Sequence, residues 1–269
     1  MTHDRWTAGD AYEVYMGRWS RALARVALAW LGPQRAGHWL ELGCGTGALT
    51  AAICESCEPA SVIACDPSAE FIEHARRQAS SACTFQVIST GDPLPTRAAG
   101  FDSIISGLVL NFVPAPERTL AALRERVRPG GTIAAYVWDY ADGMEFLRHF
   151  WTEVVALDPN AAALDEGKRF GVWQPPALAA LFRDAGLERV ETASLEIPTD
   201  FESFEDYWSP FLGGSGPAPG YVATLDATAR ERLKRGLEQR LPKAQDGHIR
   251  LRARAFAVRG ISGAVVARP

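Results

Sequence analysis

Glu41-Leu42-Gly43-Cys44-Gly45-Thr46-Gly47 follows the apolar run His38-Trp39-Leu40 and opens into the helical pattern Ala48-Leu49-Thr50-Ala51-Ala52-Ile53. Glycines at alternate positions let backbone turn sharply off a strand end and bring a ligand against bare main chain. Amides at the start of the next helix then face that ligand. The turn itself has no need of an acid two places before its first glycine. Glu41 would suit a ligand with positive charge or amide donors. Gly43-x-Gly45-x-x-Ala48 also fits a relaxed dinucleotide fingerprint, and Asp66 stands about where that fingerprint places its ribose-binding acid. One such match does not choose between nucleotide ligands, so the rest of the chain must.

The elements that would position these residues alternate. Strand-like runs cover His38 to Leu42, Ser61 to Cys65, Thr84 to Ile88, Phe101 to Ser106 and Thr132 to Trp138. Helical patterns cover Ala48 to Cys57, Ser68 to Ser80 and Pro116 to Val127, the last stopped by Arg128-Pro129-Gly130-Gly131. Alternation of this kind predicts βαβ units and a buried, doubly wound, mostly parallel α/β sheet. Ligands of such sheets bind beyond the carboxyl ends of the strands, where strand order reverses. That rule gathers Gly43 to Gly47, Asp66, Gly91-Asp92, Ser106 to Asn111 and Trp138-Asp139-Tyr140 on one rim.

The second half reads differently. Helices are expected over Gly143 to Leu157, Pro175 to Ala185 (with Gly186 as the stop) and Ala227 to Leu241. Strands are expected over Val190 to Ile197 and Ile249 to Val258, where Ile249, Leu251, Ala253, Ala255 and Ala257 alternate with Arg250, Arg252 and Arg254. Between them, an aromatic segment from Phe201 to Phe211 and the glycine-rich run Gly213 to Gly220 suggest an insertion folding over the rim as a lid. The expected division is a cap helix and cofactor-binding half over 1–140, then the remaining strands over 141–269 with a helical lid at about 201–245.

At 269 residues the chain can bury a sizeable core, and its 47% hydrophobic and 22% charged composition is that of a globular protein. A net charge of −4 gives no argument for nucleic acid or membrane as the main partner. The N-terminus lacks a signal-peptide layout and no apolar run reaches spanning length, so the expectation is a cytoplasmic protein without a membrane partner. Its five cysteines read as reduced thiols, and Cys54-x-x-Cys57 stands alone without a second pair that would make a metal site. Residues 188–206 hold seven acids and one base, whereas 230–259 hold ten bases and three acids. If the two strands pair, those opposite charges face each other across the sheet. The basic run also lacks the interleaved aromatics of a single-strand binder, so a nucleic-acid partner is not expected.

Five elements in order resemble the class I S-adenosylmethionine-dependent methyltransferases, in particular the small-molecule type. They are Leu40-Glu41-Leu42-Gly43-Cys44-Gly45-Thr46-Gly47, Ala64-Cys65-Asp66-Pro67-Ser68, Gly91-Asp92-Pro93-Leu94-Pro95, Phe101-Asp102-Ser103-Ile104 and Leu123 to Gly131. The resemblance spans roughly Tyr12 to Tyr140. It implies a seven-stranded Rossmann-like methyltransferase fold, S-adenosylmethionine as cofactor and a small methyl acceptor, with an apolar or aromatic acceptor suggested by the ring-rich second half. It further implies that Gly43, Gly45 and Gly47 admit the cofactor against backbone, with Glu41 beneath them offsetting its positive charge. Asp66, followed by Pro67, would accept the ribose hydroxyls; Asp92, between Gly91 and Pro93, would accept from the adenine amino group. Ser106 to Leu110, Ser106 and Leu108 among them, would line the methionine tail, Arg18 would pair with its carboxylate, and Tyr15 or Trp19 would cover the sulfonium side.

Plainer roles exist for several of these. Asp66 suits capping of the helix entered through Asp-Pro-Ser-Ala-Glu, Asp92 suits a turn, and Asp102 suits bracing its strand. A nicotinamide enzyme would want a proton-transfer partner such as Tyr-x-x-x-Lys, and no tyrosine here has a lysine four places on. Methyl transfer asks little of acid–base residues. No catalytic residue is assigned from sequence, and Asp139, Tyr140, His149 and Tyr207 are only candidate bases. Neither a metal site nor an oligomeric state is read from the sequence.

Overall fold

Elements form where apolar spacing and capping residues agree. The computed structural model describes residues 12–32, 35–89, 91–214 and 216–263. A π-helical turn, Glu13–Gly17, runs into α1 (Arg18–Leu31). Next come β1 (His38–Leu42), α2 (Ala48–Cys57), β2 (Ser61–Asp66), α3 (Ala69–Arg77), β3 (Cys83–Val87), β4 (Phe101–Gly107), α4 (Pro116–Arg124) and β5 (Val127–Trp138). The later part holds α5 (Glu145–Leu157), α6 (Glu166–Arg169), α7 (Pro175–Asp184), β6 (Leu187–Phe201), α8 (Phe204–Trp208), α9 (Pro217–Thr224), α10 (Ala227–Arg240) and β7 (Ile249–Ser262). Ser68 caps α3 by accepting the Phe71 amide at 3.3 Å, and Asp226 caps α10 by accepting that of Ala229 at 2.8 Å. Gly186, with φ +77°, ends α7 in the left-handed conformation that glycine adopts without penalty.

The seven strands lie in the order β3-β2-β1-β4-β5-β7-β6. The pairs β1–β2, β2–β3, β1–β4 and β4–β5 are all parallel. From β1 the chain runs outward through β2 and β3, then returns to β4 on β1's other flank, so the order reverses between β1 and β4. The ion pairs Arg259–Glu191 at 2.7 Å and Arg252–Glu196 at 3.9 Å join β7 to β6 in opposite sequence order, as antiparallel neighbours require. A doubly wound, mostly parallel α/β sheet is thus the fold.

Two compact units share the chain. The sheet unit comprises Ser20–Val137, Trp173–Leu195 and Phe256–Pro269; the helical unit comprises Met1–Trp19, Trp138–Val172 and Glu196–Ala255. In the sheet unit Leu40, Phe101, Ile104, Ile133, Leu120, Phe182 and Val258 form one buried cluster. Each such side chain contributes about 1.5–3 kcal/mol by leaving water. The helical unit is built on rings. Phe150 stacks on Phe211 with centroids 4.5 Å apart, Phe201 meets Tyr207 at 5.2 Å, and the Tyr207 hydroxyl donates to the Phe146 carbonyl at 2.8 Å.

Strand β6 (Leu187–Phe201) overruns its expected bounds at both ends and β7 (Ile249–Ser262) at its far end, and β5 starts earlier than expected. Arg128-Pro129-Gly130-Gly131 belongs to β5, and α4 stops at Arg124. The Arg128 Nε donates to Asp102 Oδ1 at 2.6 Å, and the Phe101 amide donates to the Arg126 carbonyl at 2.8 Å, which ties this segment to β4. A register shift between Phe101 and Ser103 absorbs the irregularity. Among the described residues, no helix is long and apolar enough to cross a membrane, and no group of three or more metal-ligating side chains exists.

Candidate cofactor-binding site

Gly43, Gly45 and Gly47 all take positive φ, +74°, +53° and +92°. The Gly43 and Cys44 amides donate to the Cys65 carbonyl at 2.7 and 3.0 Å, which anchors the loop to the end of β2. A Cβ on Gly43 would lie 2.5 Å from the methyls of Val109, whereas one on Gly45 would meet nothing within 4 Å. Gly43 is therefore glycine because the protein packs against it. Gly45 faces open space, as backbone reserved for a ligand would.

Asp66 ends β2 and is 7% exposed. Its Oδ2 accepts the Gly45 amide and its Oδ1 the Ser68 amide, both at 2.9 Å. Burial pushes this carboxyl up from its ordinary value, and the Ser68 and Gly45 amides pull it back. Ser68 is the cap of α3, and Asp66 instead braces both the glycine loop and the turn that leads to that cap. A carboxylate has about four lone-pair sites, so each oxygen keeps capacity for a further donor. Pro67 follows, exposed. Glu41, in β1 and 1% exposed, accepts the Thr50 hydroxyl at 2.6 Å. Burial drives its pKa to about 8, against the Thr50 hydrogen bond. A positive ligand group near it would restore the carboxylate form.

Beyond β3 the Ile88 amide donates to the Asp66 carbonyl at 3.1 Å, which sets the Gly91-Asp92-Pro93 loop beside the β2 tip. All three residues are exposed; Gly91 takes φ +98° and its α-carbon faces open space. The Asp92 carboxylate accepts the Ser89 amide at 2.8 Å, closing its own turn. On the other side of β1, Ser106 in β4 is buried and its Oγ makes no hydrogen bond. Leu108, next after β4, holds φ +64°, a left-handed conformation strained for leucine, fixed by its amide's 2.7 Å bond to the Tyr136 carbonyl. Asn111 is buried with neither carboxamide atom bonded.

The sheet unit thus brings Glu41, Gly43, Gly45, Gly47, Asp66, Pro67, Gly91, Asp92, Pro93, Ser106 and Leu108 onto four adjacent strand tips flanking the reversal point. Asn111 and Thr50 join them. Asn111 lay within the expected rim without a stated role, and Thr50 carried no motif. These features fit S-adenosylmethionine: paired acceptors for a ribose at Asp66, bare backbone at Gly45, an ionisable acid under the loop, and unbonded polar atoms at Ser106 and Asn111.

Tyr15 and Arg18 belong to the helical unit. Arg18 pairs with Asp206 at 3.0 Å and lies over the Trp19 and Phe201 rings at 4.3 and 4.7 Å. Asp206 therefore competes with any anionic ligand for that guanidinium. Tyr15 packs edge-on to Phe146 and Phe211, 2% exposed, with its hydroxyl unbonded. The four candidate bases lie in this unit too. Asp139 is held by Arg254 at 2.5 Å, the Tyr207 hydroxyl is bonded and raised in pKa by burial, and burial lowers that of His149. Tyr140 is buried, its ring 5.3 Å from that of Phe170.

Residues 40–133 match the family described as a methyltransferase domain. Over 98 residues the chain is 35% identical to trans-aconitate 2-methyltransferase of Deinococcus radiodurans, covering 36% of each chain. Over 147 residues it is 33% identical to "Probable tRNA methyltransferase 9B" of Bos taurus, covering 53% of this chain and 30% of that one. The chain therefore spans about a third of the length of these curated relatives. The fold is shared with phosphoethanolamine N-methyltransferase 2 of Haemonchus contortus, solved with phosphomonomethylethanolamine and S-adenosylhomocysteine. There the TM-score is 0.56 at 14% identity, over 95% of this chain and 57% of that one. Fold, rim and family together make residues 40–133 a class I S-adenosylmethionine-dependent methyltransferase domain.

Proposed function

We propose that this protein transfers a methyl group from S-adenosylmethionine to a small-molecule acceptor. The observation that carries the reading is Asp66, a carboxylate at the β2 tip bonded to the Gly45 amide within the glycine loop. S-adenosylmethionine brings an already activated methyl group. The chain's part is to hold the nucleoside at Asp66 and Asp92, offset positive charge with Glu41, seat the tail near Ser106 and Leu108, and exclude water.

A small acceptor is favoured over RNA by the state of the basic run. Lys234 pairs with Glu205, Arg240 with Glu153, Arg250 with Asp246, Arg252 with Glu145 and Glu196, Arg254 with Asp139, and Arg259 with Glu191. Bases already neutralised by acids release few counterions on meeting a polyanion. The tRNA reading keeps the support of relatives named for tRNA methylation. The rings of the helical unit fill space against one another.

Titration calorimetry is the first test. S-adenosylhomocysteine should bind while NAD gives no heat; the reverse would replace methyl transfer by hydride chemistry. Methyl-label transfer would then be scored on small acids, amines and phenols beside bulk tRNA. Label appearing only in tRNA would overturn the small-molecule reading.

A further inference from the structure

Beside the glycine loop, α2 and β3 of the sheet unit bring together two thiols that lie far apart in sequence. Cys54 Sγ and Cys83 Sγ stand 3.1 Å apart across 29 positions. Both are half-buried and open onto a cleft of about 310 Å³ lined also by Thr50, Gln78, Ser80 and Phe85. The other three cysteines, Cys44, Cys57 and Cys65, are buried. The Cys83 S–H bond, aided by the Ser80 hydroxyl, lowers the Cys54 thiol to about 7 against burial and the Glu55 carboxylate. The same contact with Cys54, together with burial, pushes Cys83 upward. Burial drives Cys65 up to about 12 and Cys44 upward as well. The contact lets the two sulfurs share one proton, so that one can act as thiolate while its neighbour keeps the proton.

We propose that Cys54 and Cys83 form a hydroperoxide-reactive dithiol site, with Cys54 the attacking sulfur and Cys83 the resolving one. The Cys54 thiolate attacks one peroxide oxygen; the S–O bond forms, the O–O bond breaks, and the departing alkoxide or hydroxide takes up a proton. Cys54 is oxidised to a sulfenic acid as the peroxide is reduced to an alcohol or water. The Cys83 sulfur then attacks Cys54; the S–S bond forms, the S–O bond breaks, and the hydroxide leaves with the Cys83 proton as water. Two thiols and one hydroperoxide give one disulfide, one alcohol and one water. A disulfide here would draw the two sulfurs from 3.1 Å to about 2.0 Å. The crosslink would tie α2, which begins at the glycine loop, to β3, and enclose β2 with Asp66. The site is independent of the methyl acceptor.

The test treats the reduced full chain with one equivalent of hydrogen peroxide, alkylates remaining thiols, and maps the non-reduced digest by mass spectrometry. The expected product is a peptide linking Cys54 to Cys83, reversed by dithiothreitol, with a raised Tm in the oxidised protein. Before oxidation, Cys54 should alkylate at pH 7 about tenfold faster than Cys65. In Cys83→Ser, Cys54 should accumulate as a sulfenic acid trapped by dimedone. A wild-type map showing Cys54 linked to Cys57 or to a second chain, or Cys54 left reduced, would overturn the proposal. So would equal alkylation rates for Cys54 and Cys65, a result that needs no variant to fold.

Discussion

Asp66 Oδ2 accepts the Gly45 amide proton at 2.9 Å, fastening the tip of β2 to the loop that leaves β1. The side chain that would hold a ribose is thus also the one that shapes the backbone on which the cofactor would lie. Asp66→Ala should therefore act twice. Affinity for S-adenosylhomocysteine should fall by about 1–3 kcal/mol, and the free protein should lose about 1 kcal/mol as two amides lose their acceptor. Calorimetry and urea denaturation read the two losses separately, and unchanged affinity would remove Asp66 from the site.

Gly43→Ala and Gly45→Ala should part company. Both would place alanine at positive φ, at a cost of about 1–2 kcal/mol. Only Gly43→Ala would also drive a Cβ to 2.5 Å from Val109. In urea melts Gly45→Ala should lose about 1–2 kcal/mol and Gly43→Ala distinctly more. Binding should reverse the contrast in kind, with Gly45→Ala folded yet weak for S-adenosylhomocysteine.

Glu41 makes stability pH-dependent. Its folded pKa of about 8 lies above the ordinary 4.5. Between those values the folded chain keeps a proton that the unfolded chain has released. The unfolding free energy therefore falls as pH rises through that window, at up to about 1.4 kcal/mol per pH unit, and levels off above it. Glu41→Gln should flatten this slope, so wild type should lose more stability than the variant between pH 5 and pH 8. Glu166, pushed by burial to about 7, acts with the same sign in both proteins. Parallel losses would show that Glu41 is not the group responsible.

Arg254→Met would strand the Asp139 carboxylate, whose side chain is 1% exposed while that of Arg254 is 35% exposed. The loss should be about 2–4 kcal/mol, below the range for a wholly buried pair because water reaches the guanidinium. Thermal unfolding reads it directly. A stability change under 1 kcal/mol would mean the pair contributes little.

Legibility in the sequence followed the range of each interaction. Strands β1 and β2 stand almost where their apolar runs placed them, because burial on both faces leaves a continuous signal. The glycine loop, Asp66 and Asp92 are readable because turn chemistry is local. The early start of β5 is not, since the Arg128–Asp102 bond joins residues 26 positions apart. Nor is the bond from Thr50 to Glu41, which needs the turn of α2 over β1 to exist. The pairing of Cys54 with Cys83 left no motif at all, since 29 positions separate the two thiols.

Among the described residues, the strand order leaves β3 and β6 without an outer neighbour. Exposed peptide groups on such borders invite another chain to add itself, the first step toward fibrous aggregation. Each border is guarded differently. On β3 the Arg76 guanidinium donates to the Phe85 carbonyl at 2.9 Å, occupying an acceptor that a stranger would need. The β6 border carries Glu188, Glu191, Glu196 and Asp200 on exposed positions, and Pro198, exposed among them, has no amide hydrogen to offer. Glu191 and Glu196, which pair with Arg259 and Arg252 of β7, thereby also repel a second β6 from docking edge to edge, so the same charges serve cohesion within the molecule and separation between molecules.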